Sequence, residues 1–271
     1  MPVLTIGGLN IDYIEDGSGE TVILIHSSVS GNRQWRSLVE SLKDRYRVLA
    51  VNLHGYGSTT PWTGELPQTF DDQADLVMAL CAGTSDPVHI VGHSFGGGVA
   101  LKVASRMGSR IGRLILYEPI PFYLLKQHGR HMEYSEVEAL SSGVKALGRR
   151  GEWSKAAELF ADYWSGPGTW EAMPESRQAT FIAALSHSFF EWDAALNEQT
   201  TIDDVKRIAA RTLVMQSDEA TDPVRGIVEI LKNSCPHWTF AHITDGGHMA
   251  PLTNPGSINP IVRKFLDTGM A

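Results

Sequence analysis

Four short, almost wholly apolar runs constrain this chain more than anything else in it. They are Thr21–Ile25 (TVILI), Tyr46–Val51 (YRVLAV), Val88–Val91 (VHIV) and Ile111–Tyr117 (IGRLILY). An apolar run with no polar alternation is what a strand needs when both its faces are buried, as inside a parallel sheet. Between the runs lie stretches with helical apolar spacing. Gln34–Leu42 puts Trp35, Leu38, Val39 and Leu42 on one side. Phe70–Cys81 has Thr69 placed to cap it and Asp71 and Asp72 in its first turn, where acidic charge suits the helix dipole. Phe95–Met107 is rich in small residues. Such alternation, with right-handed crossovers, predicts a parallel sheet with helices on both faces. Val3–Ile6 and Leu9–Ile14, flanking Gly7-Gly8, read as an antiparallel hairpin ahead of it.

The pattern changes at Pro119. From there to Asp204 no strand is evident, and helical stretches follow one another between Gly and Pro: Ser135–Leu147, Trp153–Trp164, Pro174–Leu185 and Phe189–Asn197. Trp153, Trp164, Trp170 and Trp192 fall here and read as the core of a small helical unit more readily than as direct ligand contacts. Alternation then resumes with a strand at Thr212–Gln216, a helix at Pro223–Asn233, a strand at Thr239–Ile243 and a helix at Ile258–Leu266. The organisation expected is one α/β domain, residues 1–118 and 205–271, interrupted by a helical insertion, 119–204.

Composition bounds the partners. The 271 residues carry a formal net charge of −8, which argues against nucleic acid or an anionic membrane surface as a partner. No apolar run approaches the roughly 18 residues of a membrane span, and the start shows no basic segment leading into an apolar one. The two cysteines, Cys81 and Cys235, lie far apart with no metal-ligand spacing, so neither a disulfide framework nor a structural zinc site is expected and the cytoplasm is the default location.

The sharpest local signal is Gly92-His93-Ser94-Phe95-Gly96, directly after the VHIV strand and opening a small-residue helix. That is the context of a nucleophile elbow: a strained turn that lifts a serine hydroxyl above the sheet, with room only for small residues two positions either side. A serine needs a base. His248 lies in Asp245-Gly246-Gly247-His248, just after the last strand, on a loop free to return over the sheet. Of the other histidines, His93 belongs beneath the elbow. His26 and His54 sit on loops after strands, where they suit backbone hydrogen bonds; His89 lies in a strand; and His128, His131, His187, His237 and His242 have weaker claims.

At these residues the sequence resembles the α/β-hydrolase family over nearly its whole length. The likeness runs through Leu24-Ile25-His26, Arg33-Gln34-Trp35, Asn52-Leu53-His54-Gly55-Tyr56-Gly57-Ser58, the elbow and the Gly-Gly-His loop. It implies an α/β-hydrolase fold, an eight-stranded, mostly parallel sheet with helices on both faces and a helical cap inserted after the sixth strand. It also implies a Ser–His–acid triad, with an oxyanion hole made by the backbone N–H groups of Phe95 and, by position, Ser28. The chain departs from the family at Ser27, where glycine is usual. Ser27 or Ser28 would then either add a hydroxyl to the pocket or make a local turn hydrogen bond.

The acid has two placements in relatives. After the seventh strand this chain reads Ser217-Asp218-Glu219-Ala220-Thr221-Asp222, with Ala220 at the usual acid position and Asp218 and Asp222 two residues off. At the end of the sixth strand stands Glu118, in an apolar setting that asks for a partner such as a histidine N–H. Glu118 is favoured, with Asp222 and Asp218 as the alternatives. The resemblance then implies hydrolysis of a small-molecule ester-like substrate through an acyl-enzyme, with no metal or organic cofactor, by a monomer or homo-oligomer. Ser94 argues against epoxide hydrolase and haloalkane dehalogenase chemistry, since those relatives carry Asp there. Lactone, C–C bond or amide hydrolysis, perhydrolysis, acyl transfer to another acceptor and a receptor-like binder with weak catalysis are the other readings.

Overall fold

A computed structural model describes residues 3–84 and 87–270. Eight strands form one sheet: β1 (Val3–Ile6), β2 (Leu9–Asp16), β3 (Glu20–Ile25), β4 (Tyr46–Val51), β5 (Val88–His93), β6 (Ile111–Tyr117), β7 (Arg211–Ser217) and β8 (Thr239–Ile243). Their spatial order is β1-β2-β4-β3-β5-β6-β7-β8. The hairpin is present with Ile6 opposite Leu9. β2 runs antiparallel to β4, and every pairing from β4 through to β8 is parallel.

Alternate side chains of the central strands enter two separate cores, as the period of two requires. Val22, Leu24, Val48, Ala50, Val91, Ile115 and Tyr117 face one side. There α1 (Arg36–Leu42) and α12 (Pro255–Thr268) pack against each other and α1 against β4. Ile23, Ile25, Leu49, Val51, Ile90, Leu114 and Leu116 face the other side, under α2 (Phe70–Cys81), α3 (Phe95–Met107) and α10 (Asp222–Ser234). Thr69 caps α2 reciprocally: its hydroxyl accepts from the Asp72 N–H, and its own N–H donates to the Asp72 carboxylate at 2.7 Å. Thus neither face of the strands meets water, which is why they read as unbroken apolar runs.

Between β6 and β7 the chain is wholly helical among the described residues: α4 (Tyr123–Gln127), α5 (His131–Arg149), α6 (Trp153–Ser165), α7 (Glu175–His187), α8 (Glu191–Asn197) and α9 (Ile202–Lys206). α11 (Ala250–Thr253) lies just before α12. Two differences from expectation have a common cause. α4, α9 and α11 have five residues or fewer, too short to show an apolar period. α5 starts four residues earlier than its apolar spacing does, because its first two residues, His131 and Met132, are exposed and bury nothing. The aromatic side chains of the segment hold it together: Phe160 packs 6.2 Å from Trp192 and 6.0 Å from Phe181, and Trp170 lies 5.9 Å from Phe181. This core is continuous with the one under α2 and α3.

Candidate active site

The carboxyl ends of β5, β6 and β7 and the loop after β8 meet at one place, the edge at which open parallel sheets gather functional groups. Ser94 sits between β5 and α3 with φ 55° and ψ −119°, a strained conformation for a residue with a side chain. The crowding that enforces the turn is measurable. A Cβ at Gly92 would lie 2.4 Å from the Gly96 carbonyl oxygen, and one at Gly96 would lie 2.4 Å from the His26 carbonyl oxygen. The turn is tied down by the Ser94 N–H, which donates to the Tyr117 carbonyl at 3.0 Å.

Glu118 follows β6, fully buried and also at positive φ (43°). Its backbone N–H donates to Met215 O of β7, which turns the side chain back over the strand ends. The Oε1 atom accepts from both the N–H (2.8 Å) and the hydroxyl (2.6 Å) of Ser217. Its Oε2 lies 2.6 Å from His248 Nδ1, and His248 Nε2 lies 3.0 Å from Ser94 Oγ. Burial pushes the Glu118 carboxyl up, but the hydrogen bonds from His248 and Ser217 outweigh it and hold the group below the usual carboxylate range. An ionised Glu118 can only accept a hydrogen bond, so Nδ1 carries the hydrogen, and Nε2 carries the free lone pair and accepts from Ser94.

The loop bearing His248 is anchored at two points. His93 Nε2 donates to the His248 carbonyl at 2.8 Å, and the Tyr117 hydroxyl donates to Gly247 O at 2.9 Å. His93 can donate there only as the Nε2–H tautomer, leaving Nδ1 to accept from Gln34 Nε2 at 3.0 Å. Burial, reinforced by the neighbouring His248, keeps its pKa well below the ordinary histidine value, so it stays neutral. His26 is likewise held neutral: burial lowers its pKa to about 4, while its ring bridges Ser27 O and the Leu53 N–H. His54 bonds the Thr60 carbonyl, and His89 pairs with Glu20.

The structure brings Ser94, His248 and Glu118 together and leaves the alternative acids outside. Asp218 and Asp222 are exposed, beside His242 and Arg225 respectively. Ser27 and Ser28 part company. The Ser27 hydroxyl turns inward to Gln34 Oε1 at 2.9 Å, whereas the Ser28 hydroxyl reaches the helical segment and donates to Glu191 Oε2. Ser28, Ser94, Phe95, Glu191 and His248 line one narrow cavity walled by Phe160, Trp164 and Trp192. The Trp164 ring stacks on His248, centroids 4.2 Å apart and 25° from parallel. Trp164 and Trp192 are therefore both core and cavity wall. A second, wider cleft shares Ser28, Phe160, Trp164 and Met249 with the first and leads outward past α7.

Two residues here escape sequence reasoning. Ser217 could have been found from strand adjacency, since β7 ends beside β6 and its last residue must stand next to Glu118. Glu191 gives no such signal, as an acidic residue in the first turn of a helix is ordinary.

A sequence model of the alpha/beta hydrolase family matches residues 22–259, most of the chain. The chain belongs to that family. Among characterised relatives, it is 22% identical to (E)-2-((N-methylformamido)methylene)succinate hydrolase of Acinetobacter baylyi over 94% of each chain. It is 32% identical over 119 residues to the dihydrolipoyllysine-residue acetyltransferase component of the acetoin cleaving system of Cupriavidus necator. That match takes in 43% of this chain and only 31% of the relative's length. Among solved structures, MGS-M2, an alpha/beta hydrolase enzyme from a Medee basin deep-sea metagenome library, superposes with a TM-score of 0.84 at 17% identity over 98% of each chain. This likeness shows the fold alone.

Proposed function

We propose that this alpha/beta hydrolase is a serine hydrolase that cleaves carboxylic esters through an acyl-enzyme, with Ser94, His248 and Glu118 as its triad and the helical segment 119–204 as a cap over the site. The observation that carries this reading is the unbroken chain from Ser94 Oγ through His248 to Glu118, with bonds of 3.0 and 2.6 Å, inside a cavity open to a substrate-sized cleft.

In this mechanism Ser94 Oγ attacks the ester carbonyl carbon as its proton passes to His248 Nε2. Glu118 fixes the tautomer beforehand and faces the imidazolium that forms. The stacked Trp164 ring offers that cation its electron-rich face. The carbonyl oxygen becomes an oxyanion held by the N–H groups of Phe95 and Ser28, each such donor being worth about 3–4 kcal/mol. His248 returns the proton to the departing alkoxide, and the alcohol leaves. Water then attacks the acyl-enzyme with His248 as base, releasing the acid and restoring Ser94.

The test is hydrolysis of short- and medium-chain p-nitrophenyl esters by wild type and Ser94→Ala, with fluorophosphonate labelling in parallel. Turnover and labelling are expected in the wild type and lost together in the variant. Esterase activity retained by folded Ser94→Ala would overturn the assignment. Labelling without ester turnover would keep the nucleophile and exclude simple esters as substrates.

A further inference from the structure

Three polar atoms in the catalytic cavity are buried and meet no hydrogen-bond partner: Glu191 Oε1, Trp164 Nε1 and Trp192 Nε1. Buried polar groups are nearly always paired; Trp35 and Trp238 also leave an indole nitrogen unpartnered away from this cavity, so the orphan that asks for an explanation here is the carboxyl oxygen of Glu191. The indole nitrogens are donors only. Glu191 decides what the ligand must bring.

Glu191 sits in the first turn of α8 and is 3% exposed. Its Oε2 accepts from the Ser28 hydroxyl, and the Tyr56 hydroxyl lies beside the same carboxyl. Tyr56 in turn accepts the Val29 N–H at 3.0 Å, so the carboxyl rests directly on the loop that carries the Ser28 N–H. Among the described residues lining the cavity there is no lysine or arginine. The remaining walls near Glu191 are apolar or hydroxyl-bearing, including Phe160, Trp192 and Ser188. A bare carboxylate there would be buried without a counter-charge, a costly state. Burial accordingly raises its pKa to about 7, against the opposing pull of Ser28 and Tyr56. With Oε2 occupied as an acceptor, the proton belongs on Oε1, whose O–H then has nothing to donate to. Glu191, a lining residue of the cavity, thus holds a donor for which the protein supplies no acceptor.

We propose that Glu191 is a specificity-determining residue that donates a hydrogen bond from its neutral carboxyl to a second carbonyl oxygen of the substrate, so that the site favours uncharged oxo-acyl substrates over plain alkyl esters. The inference rests on the serine-hydrolase reading for the reacting bond, but the recognition step stands apart from it. No covalent step involves Glu191.

The experiment compares ethyl pentanoate with its 2-, 3- and 4-oxo analogues. Hydrolysis is followed by pH-stat for wild type, Glu191→Gln and Glu191→Leu, and binding is followed by calorimetric titration of Ser94→Ala. One hydrogen bond corresponds to a preference of about tenfold. Because an oxo group also activates the ester chemically, the quantity read is the oxo-to-plain ratio of kcat/KM in wild type against the same ratio in Glu191→Leu, expected to differ by that factor for at least one oxo ester. Glu191→Gln, whose amide N–H donates in place of the acid, is expected to keep the preference. In Glu191→Leu the ratio of oxo to plain ester should fall about tenfold from its wild-type value, whatever the absolute rates. A ratio that is the same in wild type and Glu191→Leu for all three oxo esters overturns the proposal. If Glu191→Leu does not fold, the Ser94→Ala titration decides alone. Should wild type hydrolyse none of the esters, ester hydrolysis fails. The Glu191 proposal then stands or falls on whether Ser94→Ala binds an oxo ester about tenfold more tightly than ethyl pentanoate.

Discussion

At Gly96 one methyl group separates a working turn from a broken one. The Cβ of an alanine would stand 2.4 Å from His26 O and 2.5 Å from Ile25 O, both backbone atoms at the end of the central strand β3. Neither can yield without moving the strand. Gly96→Ala is therefore expected to lose about 3 kcal/mol or more, read by chemical denaturation, as overpacking against rigid neighbours does. A wild-type midpoint would show that the turn has slack that these distances deny. The acid assignment is tested at the same scale. Glu118→Gln keeps the shape but offers His248 Nδ1 an amide in place of a charge, and kcat is expected to drop on the order of 10³–10⁴. Asp222→Asn, on an exposed residue beside Arg225, should leave kcat within twofold, about 0.4 kcal/mol. The reverse pattern on a p-nitrophenyl ester, with both variants folded by circular dichroism, would move the acid to Asp222.

At the scale of elements, local signals carry different weights. Thr69 closes a reciprocal cap with Asp72 at the head of α2, away from the cavity. Thr69→Ala should cost about 1 kcal/mol in urea and leave esterase kcat unchanged; a loss below the error of the measurement would show that packing alone defines the start of α2. That cap was legible because its cause is local: two side chains three residues apart. The elbow and the inward strands were legible for the same reason, since a positive-φ serine and a strand buried on both faces each leave a mark within a few residues. The order of the strands depends on crossovers and leaves no local mark, and the place of Glu118 beside Ser94 and His248 was visible only through the family resemblance. The pairing of Glu191 with Ser28 spans 163 residues and joins the start of α8 to the loop after β3. No periodicity or spacing encodes such a contact, which is why the most unusual carboxyl of the cavity looks like any helix-start glutamate.

At the scale of the whole molecule, the two buried carboxyls pull stability in opposite directions with pH. Glu118 has its pKa lowered on folding, so its contribution is present above the unfolded value and is lost as pH falls through the folded one. Glu191 has its pKa raised from 4.5 to about 7, so the stability carried by its protonated form is fully present below 4.5 and is lost as pH rises through about 7. The groups that face it are Ser28, Tyr56 and, across the cavity, His248, and none brings a fixed positive charge. His26 and His93, both lowered by burial, add a loss of their own on the acid side. A wild-type curve alone would mix these contributions, but a difference curve against Glu191→Gln cancels all except Glu191. The glutamine keeps an acceptor for the Ser28 hydroxyl and never ionises. Its stability advantage over wild type is therefore expected to be near zero at pH 4.5, to grow between pH 4.5 and 7, and to level off above pH 7 at roughly 3 kcal/mol. Urea unfolding at pH 4.5, 6, 7 and 8 measures it. A flat difference would mean that Glu191 ionises as freely in the folded protein as in the unfolded chain, and the cavity would then hold a carboxylate rather than an acid.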